Sequence, residues 1–249
     1  MTGPEIAALR ETIYKRRSTR SFKDTPLTDD IIRDIRGFIG GREGLTPRRG
    51  FTWELVSGDE VRCILPWRAP HNIAMYTDGQ DMSLVNVGFV FQQVDLYLQS
   101  RGLAACWLGM GRVEGESANG DSLAMMLAFG EPKGAALRSG ASEFKRTALT
   151  DISDQADERL EPARLAPSSV NSQPWYFVHE GNTIHTYCAE SGLVRKKPSR
   201  MNLIDVGIAL AHIYVSYPDG FRFFRTASHP ELKGRAYIGS FTTDGESGR

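Results

Sequence analysis

Two segments of this chain carry apolar side chains on most of their circumference. Residues 81–99, DMSLVNVGFVFQQVDLYLQ, and residues 201–217, MNLIDVGIALAHIYVSY, lack the one-sided spacing of a surface helix, so each is predicted to be a central helix covered by several neighbours. Polar Asn86, Gln92 and Gln93 interrupt the first, and Arg101-Gly102 should end it. Ala8, Leu9, Ile13 and Tyr14 recur at helical spacing and predict a helix over 7–17. Thr28-Asp29-Asp30 has the chemistry of a helix start, leading through Ile31, Ile32, Ile35 and Phe38 to Gly40-Gly41. Strands are predicted over 51–57 and 72–76, and again around 175–178 and 184–187, with a hairpin turn at Glu180-Gly181-Asn182. A short helix is expected at 121–127 and another at 154–165. GLAACWLGMG, 102–111, reads as a loop leading into a further packed element, and TTDGESGR, 242–249, as a loose tail.

The two apolar segments resemble each other. A shift of 119 positions superposes Met82, Leu84, Val87 and Gly88 on Met201, Leu203, Val206 and Gly207. WELV at 53–56 and IAMY at 73–76 precede the first, as WYFV at 175–178 and IHTY at 184–187 precede the second. The order strand, strand, helix therefore occurs twice, too few times for a solenoid. It predicts one integrated domain of two similar halves, about 7–150 and 151–241, packed about a pseudo-twofold axis. The fold class expected is α+β, with mixed or antiparallel sheets around central buried helices. Convergence of two buried helices by composition alone would give the same pattern.

Composition narrows the class little further. Of 249 residues 41% are hydrophobic and 24% charged, which is enough apolar content for a folded core. Thirty basic residues balance thirty acidic ones, so no global field draws the chain to nucleic acid or anionic lipid, and any bound anion must meet a local cluster. The start of the chain lacks the apolar run of a signal peptide, and a cytoplasmic protein is the simplest expectation. Cys63, Cys106 and Cys188 suggest neither a disulfide framework nor a thiolate metal site, and the five histidines show no metal-binding spacing.

Chemistry concentrates in two polar stretches. RRSTRSF, 16–22, puts Arg16, Arg17 and Arg20 within five residues; on a continued helix Arg16 and Arg20 would share a face, and Ser18 would add a donor. Guanidinium forks suit a phosphate, although a solvated basic helix end would look the same. APSSVNSQPW, 166–175, sets Ser168, Ser169 and Asn171 between Pro167 and Pro174 in what reads as an extended, stiffened loop. Such a loop can present hydroxyl and amide groups to a ligand, or simply cap its own backbone.

Together RRSTRSF, APSSVNSQPWYFV and GLAACWLG resemble the nitroreductase family of flavin enzymes, in the branch whose single chain carries two half-copies. The likeness spans most of residues 7–241. It implies an FMN-dependent, NAD(P)H-oxidising enzyme that reduces nitroaromatic, quinone or related small-molecule acceptors by ping-pong hydride transfer. It further implies that Arg16, Arg17, Ser18 and Arg20 meet the phosphate and ribityl chain, that Pro167, Ser168, Ser169 and Asn171 wall the isoalloxazine ring, and that Leu108 and Gly109 lie near the reactive N5. Lys145 and Arg146 are candidates for the phosphate or for stabilising reduced flavin. Catalysis would need no protein acid, base or nucleophile, because the flavin carries the chemistry. In two-chain members the two motifs reach one flavin from different protomers, whereas this chain can supply both itself. One FMN per chain is expected, with a monomer sufficient and a dimer possible. Two other readings stay open: a flavin-binding protein without turnover, and a flavin-free interaction protein on the same scaffold.

Overall fold

The computed structural model of the protein describes residues 1–113, 121–191 and 197–244. Its first helix, α1 (Gly3–Ile13), starts where Thr2 and Glu5 cap each other's backbone amides. It stops four residues before the predicted end. The chain is then captured by the first sheet: the Thr19 amide donates to the Ala105 carbonyl at 3.1 Å, and Ser18 and Ala105 form a parallel bridge. Arg16 and Arg20 therefore do not share a helical face, because tertiary pairing outweighs local helix preference here.

After α2 (Asp29–Gly40) come β1 (Phe51–Ser57), β2 (Val61–Arg62), β3 (His71–Thr77), α3 (Asp81–Ser100), β4 (Ala104–Leu108), β5 (Arg112–Val113) and β6 (Ser122–Gly130). The second half runs through α4 (Leu149–Ile152), α5 (Glu161–Arg164), β7 (Trp175–Glu180), β8 (Thr183–Ala189), α6 (Arg200–Ser216), β9 (Arg222–Phe224) and β10 (Arg235–Thr242). Two antiparallel four-stranded sheets result, ordered β1-β3-β6-β4 and β7-β8-β10-β9, while β2 and β5 pair separately. Each sheet is built in one sequence: first strand, second, fourth, third.

Three expectations are corrected. From Ser122 the run belongs to strand β6, not a helix: it pairs between β3 and β4 and is buried from Met125 on, and an apolar stretch of that length carries no period to tell strand from helix. GLAACWLGMG contains strand β4. Residues 154–165 form only a 3₁₀ turn at Glu158–Leu160 and the single turn α5. The chain before them is tied to the second sheet, where Asp154 meets His179 Nδ1 at 2.6 Å and Asp157 meets its Nε2 at 2.9 Å.

Helices α3 and α6 cross at the core with their backbones in contact. A Cβ on Gly88 would collide with the Ile204 carbonyl and lie 2.9 Å from the Ile208 nitrogen; one on Gly207 would collide with the Val85 carbonyl and lie 2.8 Å from the Phe89 nitrogen. Shifted by 119 positions, Val85 and Phe89 fall on Ile204 and Ile208, so the contact is reciprocal. Glycine lowers helix propensity by about 1 kcal/mol relative to alanine, and here only glycine permits the approach. Among the described residues no helix is long and apolar enough to cross a membrane.

Candidate functional site

Segments distant in sequence meet at a cleft of about 400 Å³, within the usual range for small-molecule sites. Ser18 and Arg20 reach it from the segment after α1, and Leu108 and Gly109 from the end of β4. Pro167, Ser168 and Ser169 line it from the loop before β7, and Met201, Ile204, Asp205 and Ile208 from the first three turns of α6.

The serine loop is not extended as expected. Ser169–Asn171 form a 3₁₀ turn, and Val170, Asn171 and Gln173 have φ of 48°, 59° and 47°. Left-handed backbone suits asparagine but strains a β-branched valine, and Val170 is also 95% exposed at the cleft. A set of hydrogen bonds holds this shape. The Gln173 amide donates to Ser168 Oγ at 2.9 Å, and the Thr147 amide to Gln173 Oε1 at 3.0 Å. Asn171 Nδ2 donates to the Lys145 carbonyl at 3.0 Å, and Arg146 Nη1 to Asn171 Oδ1 at 2.7 Å.

Asn171, Lys145 and Arg146 thus brace the loop and do not line the cleft. Arg17 is exposed and also lies outside it, with its backbone amide on Gln99 Oε1 at 2.8 Å. Arg16 stands behind the lining, 1% exposed, its Nε on Asp95 at 2.8 Å and its Nη2 donating to Ser18 Oγ at 3.3 Å. With Ser18 Oγ accepting from Arg16, its own proton is free to point at a ligand.

Asp95 anchors a buried polar chain. It accepts from Gln99 Nε2 at 2.9 Å and from Gln92 Nε2 at 3.0 Å. Gln92 also reaches His212 Nε2 at 3.0 Å and accepts from Trp107 Nε1 at 3.0 Å. Burial, with Arg16 and Arg146 adding smaller effects, lowers the His212 pKa to about 3. Its Nδ1–H then donates to the Pro162 carbonyl at 2.8 Å, leaving Nε2 as the acceptor. Every member is satisfied, so Trp107 is fixed where it borders the cleft.

Positive charge gathers beside this chain. Arg138 donates to the Arg16 carbonyl and lies over the Phe144 ring, 4.2 Å from its centre, with Arg146 at 5.4 Å from the same ring. Burial first, then Arg16 and Arg138, lowers the Arg146 pKa to about 10. Arg138 was not singled out from sequence, and nothing in KGAALRSG marks it.

Asp205 was also missed. It is 3% exposed on α6, and both its oxygens accept from the Ser169 amide, at 3.1 and 3.0 Å. Burial raises its pKa to about 7, with the Ser169 amide opposing. A lone acid in an otherwise apolar helix was the available signal.

The profile of the Putative TM nitroreductase family matches residues 8–217. The fold is similar to that of a putative nitroreductase from Thermotoga maritima, with a TM-score of 0.63 at 19% identity over 94% of this chain and 91% of that one. A nitroreductase with bound FMN from Desulfitobacterium hafniense aligns at 15% identity and a TM-score of 0.43, covering 59% of this chain and 100% of its own. The FMN-dependent nitroreductase NfnB from Mycobacterium smegmatis in complex with NADPH aligns at 14% and 0.39, covering 58% and 99%. No curated protein matches the chain.

Proposed function

Since this chain belongs to the Putative TM nitroreductase family, we propose that it binds one FMN in the cleft between its halves and uses NAD(P)H to reduce nitroaromatic, quinone or related acceptors. The supporting observation is the convergence of Ser18 and Arg20, from the first half, with Pro167, Ser168 and Ser169, from the second, on one cleft. Its lining suits a phosphorylated planar ligand: hydroxyls and a guanidinium can donate to polar oxygens, and Met125, Met201, Ile204 and Ile208 supply apolar surface for a ring.

FMN, when bound, supplies hydride acceptance from NAD(P)H and its delivery to the second substrate, in ping-pong order. The chain's own groups hold and orient. Ser18 and Arg20 donate to the phosphate and ribityl oxygens, while Arg16 acts through Ser18, and Arg17, Arg138 and Arg146 add positive field. Pro167, Ser168 and Ser169 would border the ring, in a loop whose shape Asn171, Lys145 and Arg146 maintain. Leu108 and Gly109 approach from the end of β4. An adjoining groove of about 550 Å³ shares Arg20, Leu65 and Trp67 with the cleft and adds Arg68 and Lys133, giving the second ligand a basic approach.

The repeated strand order and the reciprocal glycine contacts support a duplicated chain with pseudo-twofold halves. Because one chain supplies both parts of the cleft, a monomer suffices. The test is FMN titration with flavin fluorescence, then NAD(P)H oxidation with a quinone or nitroarene. Wild-type protein is expected to bind and turn over; Ser18→Ala with Arg20→Ala should lose about 10- to 100-fold in affinity, with the ligand-free melting temperature unchanged. Unchanged affinity would place the phosphate elsewhere, and a yellow protein that does not oxidise NAD(P)H would reduce the function to binding.

A further inference from the structure

Asp205 has a counterpart inside the same molecule. The 119-position shift that aligns the two central helices places Asn86 on Asp205. Both residues catch the loop that leads to the first strand of their half's sheet. Asn86 Oδ1 accepts from the Leu45 amide at 2.9 Å, as the Asp205 carboxyl accepts from the Ser169 amide. The amide side chain of Asn86 is then filled: its Nδ2 faces Thr46 Oγ1 and the Arg48 carbonyl at 3.0 Å each, and the Arg49 carbonyl at 3.2 Å. Holding the loop is therefore a task an uncharged side chain performs.

The second half instead keeps an acid, and keeps it poorly supplied. A carboxylate can accept about four hydrogen bonds, and among the described residues the Ser169 amide is the donor that meets it. The groups around it offer no ion pair. Met201, Ile204 and Ile208 flank it on α6, and the Cys188 thiol on β8, raised to about 12 mainly by burial, carries no compensating charge. The other polar groups of the cleft are Ser18, Arg20, the Ser168 hydroxyl, which accepts from the Gln173 amide, the Ser169 hydroxyl, which donates to Met201 Sδ at 3.4 Å, the Trp107 indole N–H, which donates to Gln92, and the Cys106 thiol, whose pKa burial also raises. An ionised Asp205 would therefore depend on solvent entering the open cleft for its remaining hydrogen bonds.

We propose that Asp205 is the proton-carrying residue of the cleft: a planar ligand seated there expels that water, and the carboxylate takes up one proton from solvent as the ligand binds. This rests on the cleft holding FMN. Proton uptake makes binding weaker as pH rises through and above the free protein's carboxyl pKa, about 7, where that group becomes mostly ionised. The phosphate itself has already lost its second proton near pH 6, so a titration from pH 7 to 9 isolates the protein group.

The experiment measures FMN affinity by fluorescence quenching from pH 7 to 9 in wild-type protein and in Asp205→Asn. It also measures proton uptake on adding FMN to weakly buffered wild-type protein at pH 8. Wild-type affinity should fall by up to about tenfold per pH unit, with uptake approaching one proton per FMN. Asp205→Asn, whose loop-holding amide copies Asn86, should bind FMN with a flat profile and take up no proton. Equal pH profiles with binding intact, or wild-type binding without proton uptake, would overturn the role of Asp205 alone. Failure of both proteins to bind FMN at any pH would overturn the cofactor assignment and this role with it.

Discussion

The seats of the two equivalent loops, Asn86 in the first half and Asp205 in the second, differ by one atom type and by what they leave open. At Asn86 the amide engages four groups, and Gly44 sits so close that a Cβ there would lie 2.9 Å from Asn86 Oδ1. That seat is closed. At Asp205 one backbone amide serves two oxygens, and the loop above turns through left-handed residues beside a 400 Å³ cleft. The first arrangement is optimised for stability and the second is not, which is the usual sign that a site is kept for a ligand and not for the fold. A cleft of similar volume, about 380 Å³, does lie in the first half's vicinity, lined by Leu45, Phe89 and Phe221 among others. It has neither the serine loop nor the RRS segment.

The largest effect that could break the comparison is at the helix crossing. Because each glycine meets the opposite backbone, Gly88→Ala and Gly207→Ala should each cost several kcal/mol, and about equally, in urea unfolding. Unequal losses would mean that the halves are not equivalent at their junction.

Exchanging the two loop seats sharpens the contrast. Asn86→Asp removes the donors that face the Arg48 and Arg49 carbonyls and brings a buried charge toward them, so it should destabilise by about 2–4 kcal/mol at pH 8. Asp205→Asn should do the opposite in ligand-free protein. Its folded pKa, about 7, lies above the ordinary 3.8, so the folded state holds an extra proton between those values and loses stability as pH rises through them. The substitution should therefore stabilise at pH 8 by at most about 4 kcal/mol and have little effect near pH 4, as read from melting temperatures at both pH values. A gain that did not depend on pH would show that the Asp205 carboxyl titrates alike in the folded and unfolded protein, so that its burial does not raise its pKa.

The smallest effect concerns the loop tip. Val170→Asn places a residue tolerant of left-handed backbone where valine is strained, and should stabilise by about 1 kcal/mol by thermal melting. No gain would mean that the loop's hydrogen bonds do not enforce the conformation once FMN is absent.

What could be read from sequence follows the length of each pattern. The central helices and the 51–57 strand were legible because long apolar runs or clear alternation specify them. Ser122–Gly130 was misread because a short apolar run fits strand or helix alike until its neighbours are known. RRSTRSF reaches the cleft through Ser18 and Arg20, but not in the expected conformation: the helical spacing of Arg16 and Arg20 is undone by a bridge to Ala105 and an ion pair to Asp95, and both partners lie far along the chain. Seven of the twelve candidate binding residues line the cleft, and Asn171, Lys145 and Arg146 are placed to shape it instead. Asp95 and Asp205 were visible as acids inside apolar helices, yet only the fold shows that one is paired and the other is not.

The meeting of α3 and α6 has a bearing on what the cleft could come to accept. Gly88 abuts the backbone of Ile204 and Ile208, the same two residues whose side chains border the cleft. Depth on that side is consequently set by two main chains already in touch, and no sliding of the helices can enlarge it. Selection for a bulkier ligand would have to work through other lining residues such as Leu65, Trp67 and Val170, whose side chains can change size without disturbing the junction that joins the halves.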